Sequence, residues 1–222
     1  MKKAHVVTKD RIKKAQKIEK IILKGHIEKK VLSVGVGSGL VEEYLISQGY
    51  DVVGVDVVDS RKSSSFPFFK IKSEILPFKD NLFDVVISNH VIEHVDNQHL
   101  HLSEIARVKK SNGELYLATP NKWSIIEPHY HIAFLSWLPH FLSSMLLRLL
   151  KRNNYYDVNE LTRRQLESML RKNFTVFLSK TEDTLMLELK SKTKLNDQLI
   201  DLIMLFYPFF RIIIPTHIYI AK

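Results

Sequence analysis

Val31-Leu-Ser-Val-Gly-Val-Gly-Ser-Gly-Leu40 reads as a strand that runs into a glycine-rich turn and opens a helix. The strand, residues 30–34, is short, apolar and β-branched. The helix spans about residues 40–48 and is ended by Gly49 as the residue just past its C-terminus. Glycines at 35, 37 and 39 permit a tight turn and let a ligand approach backbone N–H groups. The helix start behind them favours an anion. Asp56 stands just past the next strand, residues 51–55, where a carboxylate accepts hydrogen bonds from both hydroxyls of a ribose. The spacing is G-x-G-x-G. The dinucleotide fingerprint G-x-G-x-x-G fails because Leu40 stands at its sixth position, and the P-loop fails because no Gly-Lys-Ser/Thr follows. A nicotinamide-dependent oxidoreductase is disfavoured on that ground.

Outward from this stretch, strands and helices alternate. A polar loop (60–65) leads to a weak strand at 68–71, and a clear strand follows at 83–88. A helix is expected at 99–109, a turn at Asn112-Gly113, and a fifth strand at 114–118 stopped by Pro120. This order predicts βαβ units and a parallel sheet, and the Val/Ile runs fit strands buried on both faces. Between 121 and 159 the alternation breaks into an aromatic, proline-punctuated, histidine-bearing segment with an apolar helix near 142–150. A capped helix at 162–172, a strand at 174–179, a helix at 195–206 and a strand at 216–221 complete the chain. Ahead of it all, 8–24 reads as a helix with Thr8 as N-cap and Ile12, Ala15, Ile18 and Ile22 on one stripe.

The chain has 222 residues, 45% hydrophobic and 26% charged, which suits one folded domain with its own core. The absence of cysteine excludes disulfides, thiolate nucleophiles and Cys-based zinc sites, and is compatible with a cytoplasmic protein. No signal peptide is read at the N-terminus, and no uninterrupted apolar run reaches transmembrane length. The net charge is +9, but residues 1–30 hold eleven lysines and arginines against three acids, while the remaining residues carry 22 basic and 21 acidic side chains. A near-neutral body with a basic N-terminal segment does not look like a nucleic-acid binder.

Three further stretches join the glycine turn. Ser73-Glu-Ile-Leu-Pro-Phe78 is followed by Asp80-Asn-Leu-Phe-Asp84, Asn89-His-Val-Ile-Glu-His94 follows the fourth strand, and Glu127-Pro-His-Tyr-His131 runs on to Pro139. Together these residues resemble class I S-adenosylmethionine-dependent methyltransferases of the small-molecule and glycan-modifying group, over roughly 30–140. The resemblance implies a Rossmann-like α/β fold: a mostly parallel seven-stranded sheet, helices on both faces, last strand antiparallel. It divides the single domain into a basic N-terminal helix (1–29), a cofactor-binding core (30–120), a cap (121–161) and C-terminal helices and strands (162–222).

The cofactor implied is S-adenosylmethionine, with Ser33, Gly35, Gly37, Gly39, Asp56, Val57, Glu74, Ile75, Asn89 and His90 as its contacts. Ser33 departs from the family, which usually has an acid there. The family often also has an Asp near Lys72, where only Ser73 and Glu74 are polar neighbours. The reaction implied is methyl transfer to a hydroxyl of a small molecule, glycan or lipid-linked acceptor; the alternative is a methyltransferase-fold protein used for binding or assembly. An oxygen acceptor must lose a proton, and His94, His129 and His131 are the general-base candidates, because imidazole titrates near neutral pH.

Each of these has a plainer reading. His129 and His131 lie two apart, and with Glu127 on an irregular loop they make a poor ligand set, so no metal site is expected. Trp123, Tyr130, Phe134 and Trp137 either line an acceptor pocket or form a small aromatic core. The basic N-terminal helix either docks an apolar stripe and solvates its lysines, or contacts an anionic membrane surface at the periphery. On the second reading, removing residues 1–24 lowers liposome affinity and leaves cofactor binding mostly intact.

Overall fold

The computed structural model describes residues 2–23, 28–192 and 196–222. Seven strands form one sheet in the order β3-β2-β1-β4-β5-β7-β6. These are β1 (Lys30–Val34), β2 (Asp51–Asp56), β3 (Phe68–Lys70), β4 (Phe83–Asn89), β5 (Lys109–Pro120), β6 (Phe177–Ser179) and β7 (Thr216–Ala221). β1 to β5 pair in parallel, and β7 is antiparallel to both β5 and β6. The expected sheet is therefore present, and its order reverses between β1 and β4. In open α/β sheets that switch point opens a crevice at the carboxyl ends of the strands.

Strand alternation sorts the core into two layers. Leu32, Val34, Val53, Val55, Val86, Leu115 and Leu117 face one side. There they meet α3 (Gln98–Val108) and α5 (Arg163–Asn173) through Leu102, Ile105, Leu166 and Leu170. Val31, Val52, Val85, Ile87, Tyr116 and Ala118 face the other side, against α1 (Lys2–Ile18) and α2 (Leu40–Ser47). Thr162 caps α5 in a reciprocal capping box with Gln165.

Helix α1 starts at Lys2, upstream of Thr8, and continues as a π-helical turn to Leu23. Ala15, Ile18, Ile22 and Leu23 are buried in the α2 layer. Glu19 accepts from the Tyr44 hydroxyl at 2.8 Å, and Lys17 Nζ lies 2.5 Å from Glu188. The N-terminal helix is thus a packed part of the body. The Asn112-Gly113 turn is a bulge inside β5: Phe83 pairs with Lys109, but Val85 already pairs with Glu114, so 110–113 are looped out. Strand β6 is shorter than the expected 174–179.

Three further helices follow: α6 (Thr181–Lys192), α7 (Asp197–Leu205) and α8 (Tyr207–Phe210). The sequence reading lacked α6. Its apolar residues Leu185, Met186, Leu187 and Leu189 bunch together without a clean stripe, and Leu185, Met186 and Leu189 are sheltered by Ile200, Met204 and Tyr207.

The segment between β5 and α5 folds over the carboxyl ends of the strands. It has its own small core of Leu135, Leu147, Tyr156 and Val158, with Tyr130 packed on it and α4 (His140–Leu149) along it. Asn159 N donates to Glu93 O at 2.8 Å, and Gln98 Nε2 donates to Asn159 O at 2.8 Å, which pins the segment's return beside β4. Among the described residues, no helix is long and apolar enough to cross a membrane.

Candidate functional site

A cleft of about 560 Å³ opens at the switch point between β1 and β4. Its floor is the glycine turn. Gly35 has φ +78°, and a Cβ there would lie 2.2 Å from Val91 Cγ2, so the strand can leave the sheet at this point only without a side chain. Gly37 has φ +56° and open space where its Cβ would be; the missing side chain leaves the cleft free. Gly35 N donates to Val55 O at 2.9 Å, and Gly37 N donates to Asp56 Oδ2 at 2.8 Å. The other Asp56 oxygen accepts from Val57 N at 2.7 Å. Asp56 therefore latches the turn to the end of β2, and a carboxylate oxygen with two lone pairs keeps acceptor capacity toward the cleft.

Of the cofactor contacts expected from the sequence, Gly35, Gly37, Asp56, Val57, Glu74, Asn89 and His90 line this cleft. Ser33, Gly39 and Ile75 are not among its lining residues. Ser33 is buried and points to the α2 layer, where its hydroxyl donates to Glu42 Oε1 at 2.6 Å. Burial pushes the Glu42 carboxyl above its ordinary range, against the Ser33 hydroxyl, which favours the charged form. Glu42 of α2 thus sits beside Ser33 in the interior, and neither residue lines the cleft. Glu74 reaches across the mouth and accepts from Asp96 N at 2.9 Å and Asn97 N at 3.1 Å, holding the turn after β4 in place.

The cap side of the cleft carries the titratable groups. Glu93, on the 3₁₀ turn Ile92–His94, is fully buried. Its Oε2 accepts from the Thr119 hydroxyl at 3.0 Å. Its Oε1 makes no aligned hydrogen bond, with His90 Nδ1 at 3.3 Å and His129 Nε2 at 3.8 Å. Burial pushes the Glu93 carboxyl up, but the His90 ring beside it outweighs that and holds it below the usual range. His90 is placed there by a left-handed backbone, φ 59°, with its N–H on Ala118 O. Burial holds the His90 ring below its ordinary value, against the pull of Glu93.

His129 Nδ1 lies 2.7 Å from Oε1 of the fully buried Glu127, which fixes the proton on Nδ1 and leaves Nε2 toward Glu93. Burial lowers the His129 pKa, yet the Glu127 contact and charge outweigh it, so the ring is more basic than an ordinary histidine. His94 also lines the cleft, its ring edge-on to His129 at 4.9 Å between centroids.

His131 does not join them. It sits exposed on the loop at φ 56° and lies outside the cleft lining. Trp123, Phe134 and Trp137 form an edge-to-face cluster on the outer surface of the cap, and Tyr130 joins the cap's core; none of the four lines the cleft.

Two cleft residues come from α1 and were not anticipated: Arg11 and Lys14. Partial burial lowers the Lys14 pKa, and Arg11 and Lys17 add to it. Their position is one face round from the apolar stripe, but only the docking of α1 turns that face to the cleft.

Residues 32–117 match the family model described as a methyltransferase domain. The chain is 26% identical over 145 residues to the ubiquinone biosynthesis O-methyltransferase of Pelagibacter ubique, a match covering 56% of this chain and 60% of that relative. It spans only about half to three fifths of the length of such curated relatives. Among solved structures, a SAM-dependent methyltransferase from Archaeoglobus fulgidus superposes with a TM-score of 0.60 at 17% identity, over 96% of this chain and 94% of that one. The [4+2]-cyclase SpnF superposes at 0.59 with 15% identity, over 95% and 80%, so the fold alone does not select a reaction. Motif, topology and domain match agree: residues 32–117 are similar to the methyltransferase-domain family, and the fold around them is the one seen in a solved SAM-dependent methyltransferase.

Proposed function

We propose that this protein binds S-adenosylmethionine in the switch-point cleft and methylates a hydroxyl oxygen of a small-molecule, glycan or lipid-linked acceptor. The observation that carries this reading is the Gly35–Gly37 turn latched to Asp56, with open space at Gly37 and a carboxylate positioned for a ribose. The residues fit the cofactor. The turn and Asp56 suit its ribose and backbone-facing side, Glu74 and Val57 border the adenine end, and Asn89 and His90 border the methionine end. Arg11 and Lys14 supply positive charge for a carboxylate. Bound there, S-adenosylmethionine supplies a methyl group on cationic sulfur, so that the C–O bond forms as the C–S bond breaks and the electron pair stays with a neutral thioether.

What the chain adds is alignment, exclusion of water and a proton acceptor. His129 Nε2, held by Glu127, takes the hydroxyl proton. His94 stands beside it at the cleft mouth. The oxygen acceptor is favoured by these imidazoles and by the O-methyltransferase name of the curated relative. Peripheral contact with anionic lipid belongs to the same proposal, through outward lysines such as Lys13 of α1 and Lys20 of the π-helical turn that follows it.

Calorimetry with S-adenosylhomocysteine tests the cofactor step, and transfer of labelled methyl from the donor to fractionated extract tests the acceptor. Binding is expected, with at least a tenfold loss in Asp56→Ala, as follows from removing charge-assisted hydrogen bonds. No binding at millimolar concentration, or Asp56→Ala indistinguishable from the unaltered chain, refutes the reading and favours a protein that keeps the fold for assembly.

A further inference from the structure

The Glu93 oxygen that makes no aligned hydrogen bond sits between two imidazoles. The ligand atoms of His90, Glu93 and His129 all lie within 4.8 Å of one another. A fully buried carboxylate oxygen without a donor is costly unless something cationic completes it. We infer that His90, Glu93 and His129 form a binding site for a first-row divalent transition-metal cation at the cap side of the cleft.

Bonds of about 2.1 Å to nitrogen and oxygen put neighbouring ligand atoms roughly 3.0 to 3.4 Å apart. The His90–Glu93 separation is already 3.3 Å and the Glu93–His129 separation 3.8 Å, while His90 and His129 lie within 4.8 Å, so the two imidazoles must turn toward each other to close the set. Each of two ligands is held from behind, as metal ligands usually are. Glu127 fixes the His129 ring through Nδ1, and the Thr119 hydroxyl holds the far oxygen of Glu93. Two imidazoles and one carboxylate select zinc, iron, cobalt or nickel over magnesium or calcium, which prefer all-oxygen sets.

Glu93 and Glu127 supply the negative charge. Arg11 and Lys14 line the same cleft and are the protein cations that compete for that charge. Three protein ligands leave positions open toward the cleft. A hydroxyl oxygen taken up there loses its proton more readily, and His94 is then the nearest free base. The use of the cation rests on the methyl-transfer reading of the cleft; the site itself rests on the side chains alone.

The test is titration of the metal-free full chain with cobalt(II), followed by visible absorption. A saturable one-to-one band is expected. It weakens by at least tenfold in His129→Ala and in Glu93→Gln, and by about 10- to 100-fold in Glu127→Gln, where the ligand stays but its support is lost. It is unchanged in His131→Ala. If the buried Glu93→Gln chain does not fold, His129→Ala on the surface loop still decides. No saturable band at low millimolar cobalt, or a band that survives His129→Ala, overturns the site. Calorimetry with S-adenosylhomocysteine on the same metal-free protein separates the two proposals. Binding of that ligand without a cobalt site leaves methyl transfer standing, and a cobalt site without it removes methyl transfer while keeping the cation.

Discussion

Gly35→Ala is expected to destabilise the chain through two separable terms. The backbone there has φ +78°, where an L side chain costs roughly 1–2 kcal/mol. The added Cβ would also meet Val91 Cγ2 at 2.2 Å and Cγ1 at 3.3 Å, and relieving such overpacking costs about 1–3 kcal/mol. The sum, about 2–5 kcal/mol, is a large part of an ordinary domain's stability. Val91→Ala removes both clashing carbons, at its own cost of about 1 kcal/mol for a half-buried side chain. In the double variant the clash disappears and only the backbone term remains. Urea denaturation of the four proteins in the cycle reads a favourable coupling of about 1–3 kcal/mol between Gly35→Ala and Val91→Ala. Gly37→Ala is the contrast: its Cβ meets nothing within 4 Å, so stability falls only by the backbone term while affinity for S-adenosylhomocysteine drops. A Gly35→Ala chain within 0.5 kcal/mol of the parent (about the scatter of ordinary surface changes), or a cycle with no coupling, refutes the packing argument.

Removing residues 1–24 exposes the surface that Ile18, Ile22 and Leu23 bury, at about 1.5–3 kcal/mol per side chain, so thermal denaturation shows a steep loss of stability or no folded protein; a truncated chain that melts like the parent shows that α1 is dispensable. The His129 titration, followed by NMR of the ring protons, lies above its ordinary value and falls toward it in Glu127→Gln. Because the folded pKa is the higher one, the contact contributes stability that is full below the unfolded pKa of about 6.5 and is lost as pH rises through the folded value; an unchanged midpoint in Glu127→Gln shows that Glu127 does not set it.

Much of the strand-end side of the cleft was readable along the chain because it is local. The turn at 35–39, Asp56 after β2 and Asn89-His90 after β4 each sit at the end of a strand, and β-branched runs announce those strands. The acidic side was half legible. His94 and His129 were candidates, but His131 read as an equal of His129. Only the fold of the cap brings Glu93 under His129 and turns His131 to the surface.

The basic N-terminus shows the division most clearly. The sequence by itself determined that Lys and Arg flank an apolar stripe on a helix, because a 3.6-residue period is a local property. Which way the charged flanks face was decided by the tertiary structure. Burying Ala15, Ile18 and Leu23 against α2 fixes the rotation of α1, and that rotation delivers Arg11 and Lys14 to the cleft. Periodicity specifies which residues share a face; only the partner surface, assembled from β1, β4 and α2, specifies what that face meets.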